Sequence, residues 1–416
     1  MKHRRFLAAL LAAAVLCPLA ALAAGEKNVD NLPTGNLEGF ESSITWFGED
    51  FAYDITDEEA CWELLQRPIT VLDVSEKELV YPRVSPNGEK VVNEWMGGSI
   101  NGSLAAVHVL GEDEDGWTLI EGMDYYDRII RGYVKTSLLK TVTPNNKYGI
   151  IIDKLTQRLY MFIDGKLWSS CAVSTGLPNK DQPYNETAAG EYLIGSWVGG
   201  FDSEGMYCEM GIRFNGGDLL HQVPYVEFAD GTKDFGKYGS QLGRKASHGC
   251  VRVARTANDE GLCISWLWEN LKKNTKVVVW DDDGRTLPYP DDDLEVYYNP
   301  DGGTSYHATA TCRSVRDKYL PLTAFTYGEL DSGKYASLTG CTNCIPVKRR
   351  AEIDEINQER IDLGELLKNP VYTGGATTGG GAQAAGVGIA HDDGRAAFAV
   401  DVDIRRADAE DVGLRH

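Results

Sequence analysis

The 416-residue sequence is short of positive charge: 41 lysines and arginines stand against 62 aspartates and glutamates, for a formal net charge of −21. A balance of that sign argues against nucleic acid or anionic lipid as the main partner. Long apolar runs are scarce too, and after the first 24 residues none reaches the length needed to span a bilayer. Internal repeats are lacking, which excludes a solenoid or propeller built from copied units. What remains is 43% apolar and 10% aromatic, enough to supply cores for two or three compact domains.

The first 24 residues indicate the compartment. Lys2, Arg4 and Arg5 precede an Ala/Leu-rich run from Phe6 to Leu22, and Ala21, Ala23 and Ala24 offer an A-x-A-like cleavage site. This is the pattern of a signal peptide over 1–24, so the chain is expected to be exported to the cell envelope, the wall or beyond. Cys17 leaves with that segment. The other eight cysteines are Cys61, Cys171, Cys208, Cys250, Cys263, Cys312, Cys341 and Cys344. An even number in an oxidising compartment invites disulfides, yet the grouping is uneven and one role for all eight is not expected.

Organisation follows from patterning. Residues 25–67 are acidic, and Asp57-Glu58-Glu59 ahead of Cys61, Trp62, Leu64 and Leu65 predicts one short capped helix. Over 68–142 short β-branched and aromatic runs alternate with turns, among them Ile69–Leu72, Val107–Leu110, Trp117–Ile120 and Gly132–Val134. From 145 to 281 a strand meander opens with Tyr148–Asp153 and Arg158–Ile163 around an Asp164-Gly165 turn. One helix is predicted after Thr256, with Thr256 and Asp259 as a capping box and Trp266, Leu267 and Leu271 as its apolar face. Thr275 to Trp280 reads as a closing strand. Two Asp triplets, 281–283 and 291–293, flank a Pro-containing linker. A compact segment over 294–347 follows, then a charged helix around Arg350 to Leu367 and a Gly-rich tail to 416 expected to be disordered.

The chemistry concentrates in Ser247-His248-Gly249-Cys250-Val251-Arg252. A thiol of ordinary pKa is a poor nucleophile until an imidazole takes its proton, and the upstream His221 can do so from a neighbouring strand. Glycine at 249 permits a sharp turn that brings main-chain N–H groups of Gly249 and Cys250 towards the attacked carbonyl. The hexapeptide resembles the S/T-H-G-C-x-N/R signature of the L,D-transpeptidases, the YkuD-type family of cell-wall cross-linking enzymes. Gly190-Glu191-Tyr192, the opening strand pair, Leu220-His221 and the downstream helix and strand extend the resemblance over about a third of the chain.

That resemblance implies a YkuD-type β-sandwich with one packed helix. Cys250 is the expected nucleophile and His221 the base, its ring oriented by the carbonyl of Gln222. His248 becomes a supporting residue, and Arg252 and Ser247 are candidates for holding substrate, Arg252 by a carboxylate. The implied partners are peptidoglycan stem peptides, with β-lactams of the carbapenem class as inhibitors and no cofactor for catalysis. The implied reaction is 3→3 cross-linking through a cysteine acyl-enzyme. L,D-carboxypeptidase action at the same site, or an inactive wall-binding scaffold, are the alternatives. Two departures stand out: 25 residues separate His221 from Ser247, so an extra lid or loop is expected over Val226 to Leu242, and Thr187-Ala188-Ala189-Gly190 replaces the family's Thr-Pro-x-Gly.

Two flanking modules complete the reading. Gly116-Trp117 and Gly132-Tyr133-Val134 make 68–142 resemble a bacterial SH3-like barrel, with a plain β-rich spacer as the alternative. His307, Cys312, Cys341 and Cys344 match a structural Cys₃His zinc set, and a disulfide from Cys312 to Cys341 or Cys344 is the rival. The expected fold class is therefore mainly β and multidomain: SH3-like barrel, catalytic β domain, then a small Cys/His module.

Overall fold

The computed structural model describes residues 52–91, 98–111, 115–124, 129–179, 182, 185–203 and 205–368. The signal segment and the Gly-rich tail lie outside the described residues. Among those described, no helix is long and apolar enough to cross a membrane.

Nine strands build the central sheet: β1 Tyr148–Asp153, β2 Arg158–Ile163, β3 Lys166–Ser174, β4 Gly190–Leu193, β5 Trp197–Ser203, β6 Met206–Arg213, β7 Leu219–Gln222, β8 Val251–Val253 and β9 Lys276–Trp280. Their order is β4-β9-β1-β2-β3-β8-β7-β6-β5. Pairing is antiparallel except for β9 with β1 and β7 with β8. The long β3 joins two halves, pairing through 166–172 with β2 and through Val173 and Ser174 with β8. Ile150, Ile152 and Met161 from one half share a core with Ile212, Leu220, Val251 and Val253 from the other. The expected sandwich is thus one sheet curled onto a single core, because a nine-residue strand can serve both halves without a break.

Helices close both faces of the first half. Helix α1, Glu58–Gln66, starts at the N-cap Asp57, whose carboxylate accepts from the Ala60 amide. Its Cys61, Leu64 and Leu65 pack on Ile151, Phe162, Val278 and Trp280. Continuous burial along β1 follows from being covered on both sides, which is why its sequence is an unbroken apolar run. Gly149 permits the close approach, since a Cβ there would stand 2.7 Å from Leu65 Cδ1. Buried Lys276 holds the helix end through the carbonyls of Leu64 and Arg67, at 2.7 and 2.9 Å, and pairs with Glu191. The catalytic sheet is therefore covered by a helix that precedes residue 145.

Helix α2, Ile264–Asn270, lies against the inner core through Ile264 and Leu267. The expected capping box at Thr256 and Asp259 does not start it. Instead Asn258 accepts from the Leu262 amide at 2.8 Å around a turn at Gly261 (φ +98°), and the helix begins two residues later with no side-chain cap. Asp259 pairs outward with Arg313.

Residues 69–142 form short strands in small sheets, with 117–123 and 129–135 as the long hairpin and 69–72 pairing with 139–142. The C-terminal module is a four-stranded sheet around an aromatic core of Tyr298, Tyr306, Phe325 and Tyr327 with Val296, Leu330 and Leu338. Helix α3, Arg350–Lys368, then returns to the catalytic domain. There Arg360, buried, meets Asp282, which also takes Lys154 and Lys245, while Glu186 bridges the two lysines. Asp282 is thus a buried anchor, although its triplet reads as the solvated edge of a linker.

Candidate functional site

Strand register brings the predicted residues together. The parallel β7–β8 pairing sets Leu220 beside Val251 and His221 beside Arg252. Leu220, Val251 and Val253 point into the core, so strand alternation turns His221, Arg252 and Cys250 to the opposite face. Cys250, His221, His248, Arg252 and Ser247 line one cleft with Phe201 and Cys208.

The loop before β8 is braced from inside. Gly249 sits at φ +122°, a conformation that glycine adopts without steric cost. Its carbonyl accepts from Thr187 Oγ1 at 2.6 Å, and that hydroxyl in turn accepts from the Gly176 amide at 2.8 Å. Ser247 is buried, its hydroxyl donating to the Cys250 carbonyl and accepting from the Gly249 amide at 3.3 Å. Ser247 thus braces the loop from within the cleft lining, and the Gly249 amide points to that brace. Thr187 entered the sequence reading only as part of a turn; its tie to a residue 62 positions away leaves no local pattern.

Cys250 is half-buried, whereas Cys61, Cys171, Cys208 and Cys263 are buried, and none of the five forms a disulfide. Burial pushes the Cys61 and Cys171 thiols up to about 12 and Cys208 further in the same direction. All four are packing residues, and the Cys61, Cys171 and Cys208 thiols stay protonated. Beside Cys250, His221 is 3% exposed. Its Nδ1 donates to the Gln222 carbonyl at 2.7 Å, which leaves Nε2 with the lone pair. Burial drives its pKa down to about 3, the Gln222 contact opposes this, and the Arg252 guanidinium lowers it further. The ring is neutral at physiological pH, with the Nε2 lone pair unprotonated. Phe201 packs edge-on against it with centroids 5.3 Å apart.

The long insertion between His221 and Ser247 is a folded flap. Val226–Glu227 pairs with Lys233–Asp234, and a helical turn follows at Gly236–Gly239. Glu209 on β6 pins it, accepting from Tyr225 Oη at 2.9 Å and Lys233 Nζ at 2.6 Å. Tyr238 buries itself against Met206 and Val223. Arg252 is held from this side: Nη1 donates to Gln241 Oε1 at 2.7 Å, and the guanidinium lies 5.5 Å from the Tyr238 ring. The cleft around Cys250 measures about 30 Å³. That volume is room for a water molecule.

Away from this cleft, His307, Cys312, Cys341 and Cys344 converge, their ligand atoms all within 4.8 Å of one another.

A half-exposed thiol beside a neutral imidazole, itself oriented by a carbonyl, is the arrangement that nucleophilic acyl transfer requires. Comparison narrows this. Residues 147–279 match the YkuD family model, the L,D-transpeptidase catalytic domain, and this stretch is a domain of that family. No curated protein matches the chain. Among solved structures, a fused Zn-dependent amidase/peptidase/peptidoglycan-binding domain-containing protein from Clostridium acetobutylicum is 18% identical with a TM-score of 0.23, over 33% of this chain and 55% of that one. An L,D-transpeptidase from Mycobacterium smegmatis is 13% identical with a TM-score of 0.25, over 42% and 82%. L,D-transpeptidase 3 from Mycobacterium tuberculosis, solved with a faropenem-derived adduct, is 16% identical with a TM-score of 0.26, over 42% and 79%. The chain spans little more than half, 55%, of the Clostridium protein's length.

Proposed function

We propose that the chain is an exported peptidoglycan L,D-transpeptidase that forms 3→3 cross-links through an acyl-enzyme on Cys250. The observation that carries this reading is the register of β7 and β8, which sets His221 and Cys250 on one face of one cleft. His221 Nε2 takes the thiol proton, and the sulfur attacks the carbonyl of the third, diamino residue of a donor stem. The bond to the terminal D-Ala breaks, and that amine departs with the proton from His221. The side-chain amine of a second stem then attacks the thioester, loses its proton to His221, and the thiol is restored. The Cys250 amide is the candidate donor to the developing oxyanion. Arg252, fixed by Gln241, is the candidate partner for a substrate carboxylate.

Export rests on Lys2 to Ala24, which lie outside the described residues, and an SH3-like role for 68–142 rests on its short-strand pattern. Carbapenems are the expected inhibitors because their strained ring acylates a thiolate. Incubation of disaccharide-tetrapeptide muropeptides with the full chain should yield 3→3 dimers by mass spectrometry. Cys250→Ala should abolish them while circular dichroism stays unchanged. Tripeptides without dimers would make the site an L,D-carboxypeptidase, and no turnover with no thiol acylation would make the protein a scaffold.

A further inference from the structure

We propose that His307, Cys312, Cys341 and Cys344 bind one structural zinc ion, which fixes the C-terminal module against the catalytic domain. Three thiols and one imidazole are a closed donor set for a tetrahedral ion that takes no part in chemistry. The spacing agrees: Cys312 Sγ and Cys341 Sγ stand 3.9 Å apart, and Cys344 Sγ lies 3.7 Å from His307 Nδ1. Two sulfurs at the usual metal–sulfur length of about 2.3 Å on a tetrahedron are separated by about 3.8 Å. A disulfide would require about 2.05 Å.

The surroundings supply what thiolate ligands need. The Ala308 amide donates to Cys344 Sγ at 3.2 Å and the Asn343 amide to Cys341 Sγ at 3.4 Å. Asn343 Nδ2 reaches Cys312 Sγ at 3.7 Å, and Ser314 Oγ lies 3.1 Å from that sulfur and 3.3 Å from Cys341 Sγ. Donors aimed at sulfur disperse thiolate charge and hold each ligand in place. The ligands come from opposite ends of the module: His307 ends a strand, Cys312 follows it, and Cys341 to Cys344 form a tight turn closed by the Ile345 amide on the Cys341 carbonyl at 3.0 Å. One ion would join these ends and release the thiol protons on binding.

The same turn faces the catalytic domain. Thr342 to Ile345 line a cleft of about 750 Å³ together with Trp168 on β3 and Phe235 of the flap. Arg313, next to Cys312, donates to the Asn258 carbonyl at 3.3 Å, and Lys348 to the Gly243 carbonyl at 3.2 Å. Gly243 is on the run into the Cys250 loop. The ion would therefore set the reach of two cationic clamps that hold the module in place.

Elemental analysis of the purified full chain tests this, with cobalt exchange as the second measurement. One zinc per chain is expected in the wild type and in Cys250→Ser, and replacement by cobalt should give thiolate charge-transfer and tetrahedral d–d absorption. Cys341→Ser should lose the metal, and hydrogen exchange over 305–348 and at 243–246 should rise together. Wild-type protein that carries no metal and takes up no cobalt, whether its thiols are free or Cys312 is in a disulfide, overturns the proposal. So does undiminished metal in Cys341→Ser. Neither outcome touches the assignment of Cys250, whose acylation is measured separately.

Discussion

At the scale of single residues, the site turns on the protonation of His221. A ring with Nδ1 on the Gln222 carbonyl has one basic nitrogen left, and burial with a pKa near 3 keeps it unprotonated at neutral pH. This has a cost at low pH whose sign is fixed. The folded pKa lies below the ordinary value of 6.5, so between pH 6.5 and about 3 the unfolded chain binds a proton that the folded chain does not. Stability contributed by the neutral ring is complete above pH 6.5 and declines as pH falls, by roughly 1.4 kcal/mol per pH unit across the window. Urea titrations from pH 7 to 4 should show a shallower decline in His221→Gln than in the wild type. Equal slopes would mean that the imidazole is not buried as described. Cys250 and Arg252 were legible as candidates because they share one short motif, and His221 as an upstream histidine. Thr187 was not, because its partner Gly249 is remote in sequence and nothing local marks a threonine as a brace.

At the scale of elements, legibility depended on burial pattern. Tyr148–Asp153, Arg158–Ile163 and Lys276–Trp280 stand where apolar runs between turn signals placed them, because strands covered on both faces leave an unbroken apolar signature. The start of α2 was misplaced because the Asn258 side chain, which closes a turn, satisfies the amide that a capping box would have engaged. The charged lock on α3 left no trace, since Lys154, Glu186, Lys245, Asp282 and Arg360 come from five distant segments. Burial alone would strip Lys154 of its proton; Asp281, Glu186 and Asp282 reverse this and hold it charged. Asp282, itself desolvated, is kept ionised by Lys154, Lys245 and Arg360. Arg360→Ala removes one of three cations from a carboxylate that is 6% exposed and should cost about 2 kcal/mol. The urea midpoint measures this, and a loss below a few tenths would show that α3 is held by Ile353 and Ile356 alone.

At the scale of the whole molecule, one catalytic domain is gripped from both sides. Helix α1 covers one face of its sheet, while the C-terminal module and α3 reach the flap and the loop that carries Cys250. The excess of acidic residues gave no hint of this, because the charges that matter structurally are a handful of buried pairs. The proposed acyl transfer depends on Cys250 carrying the acyl group. Intact-protein mass spectrometry of the full chain, quenched in acid during turnover of a tetrapeptide-stem donor, reads that directly. One adduct equal to the donor less its terminal D-Ala is expected, mapped by proteolysis to Cys250 and missing from Cys250→Ala. An adduct on another residue, or turnover that persists in Cys250→Ala, would contradict it.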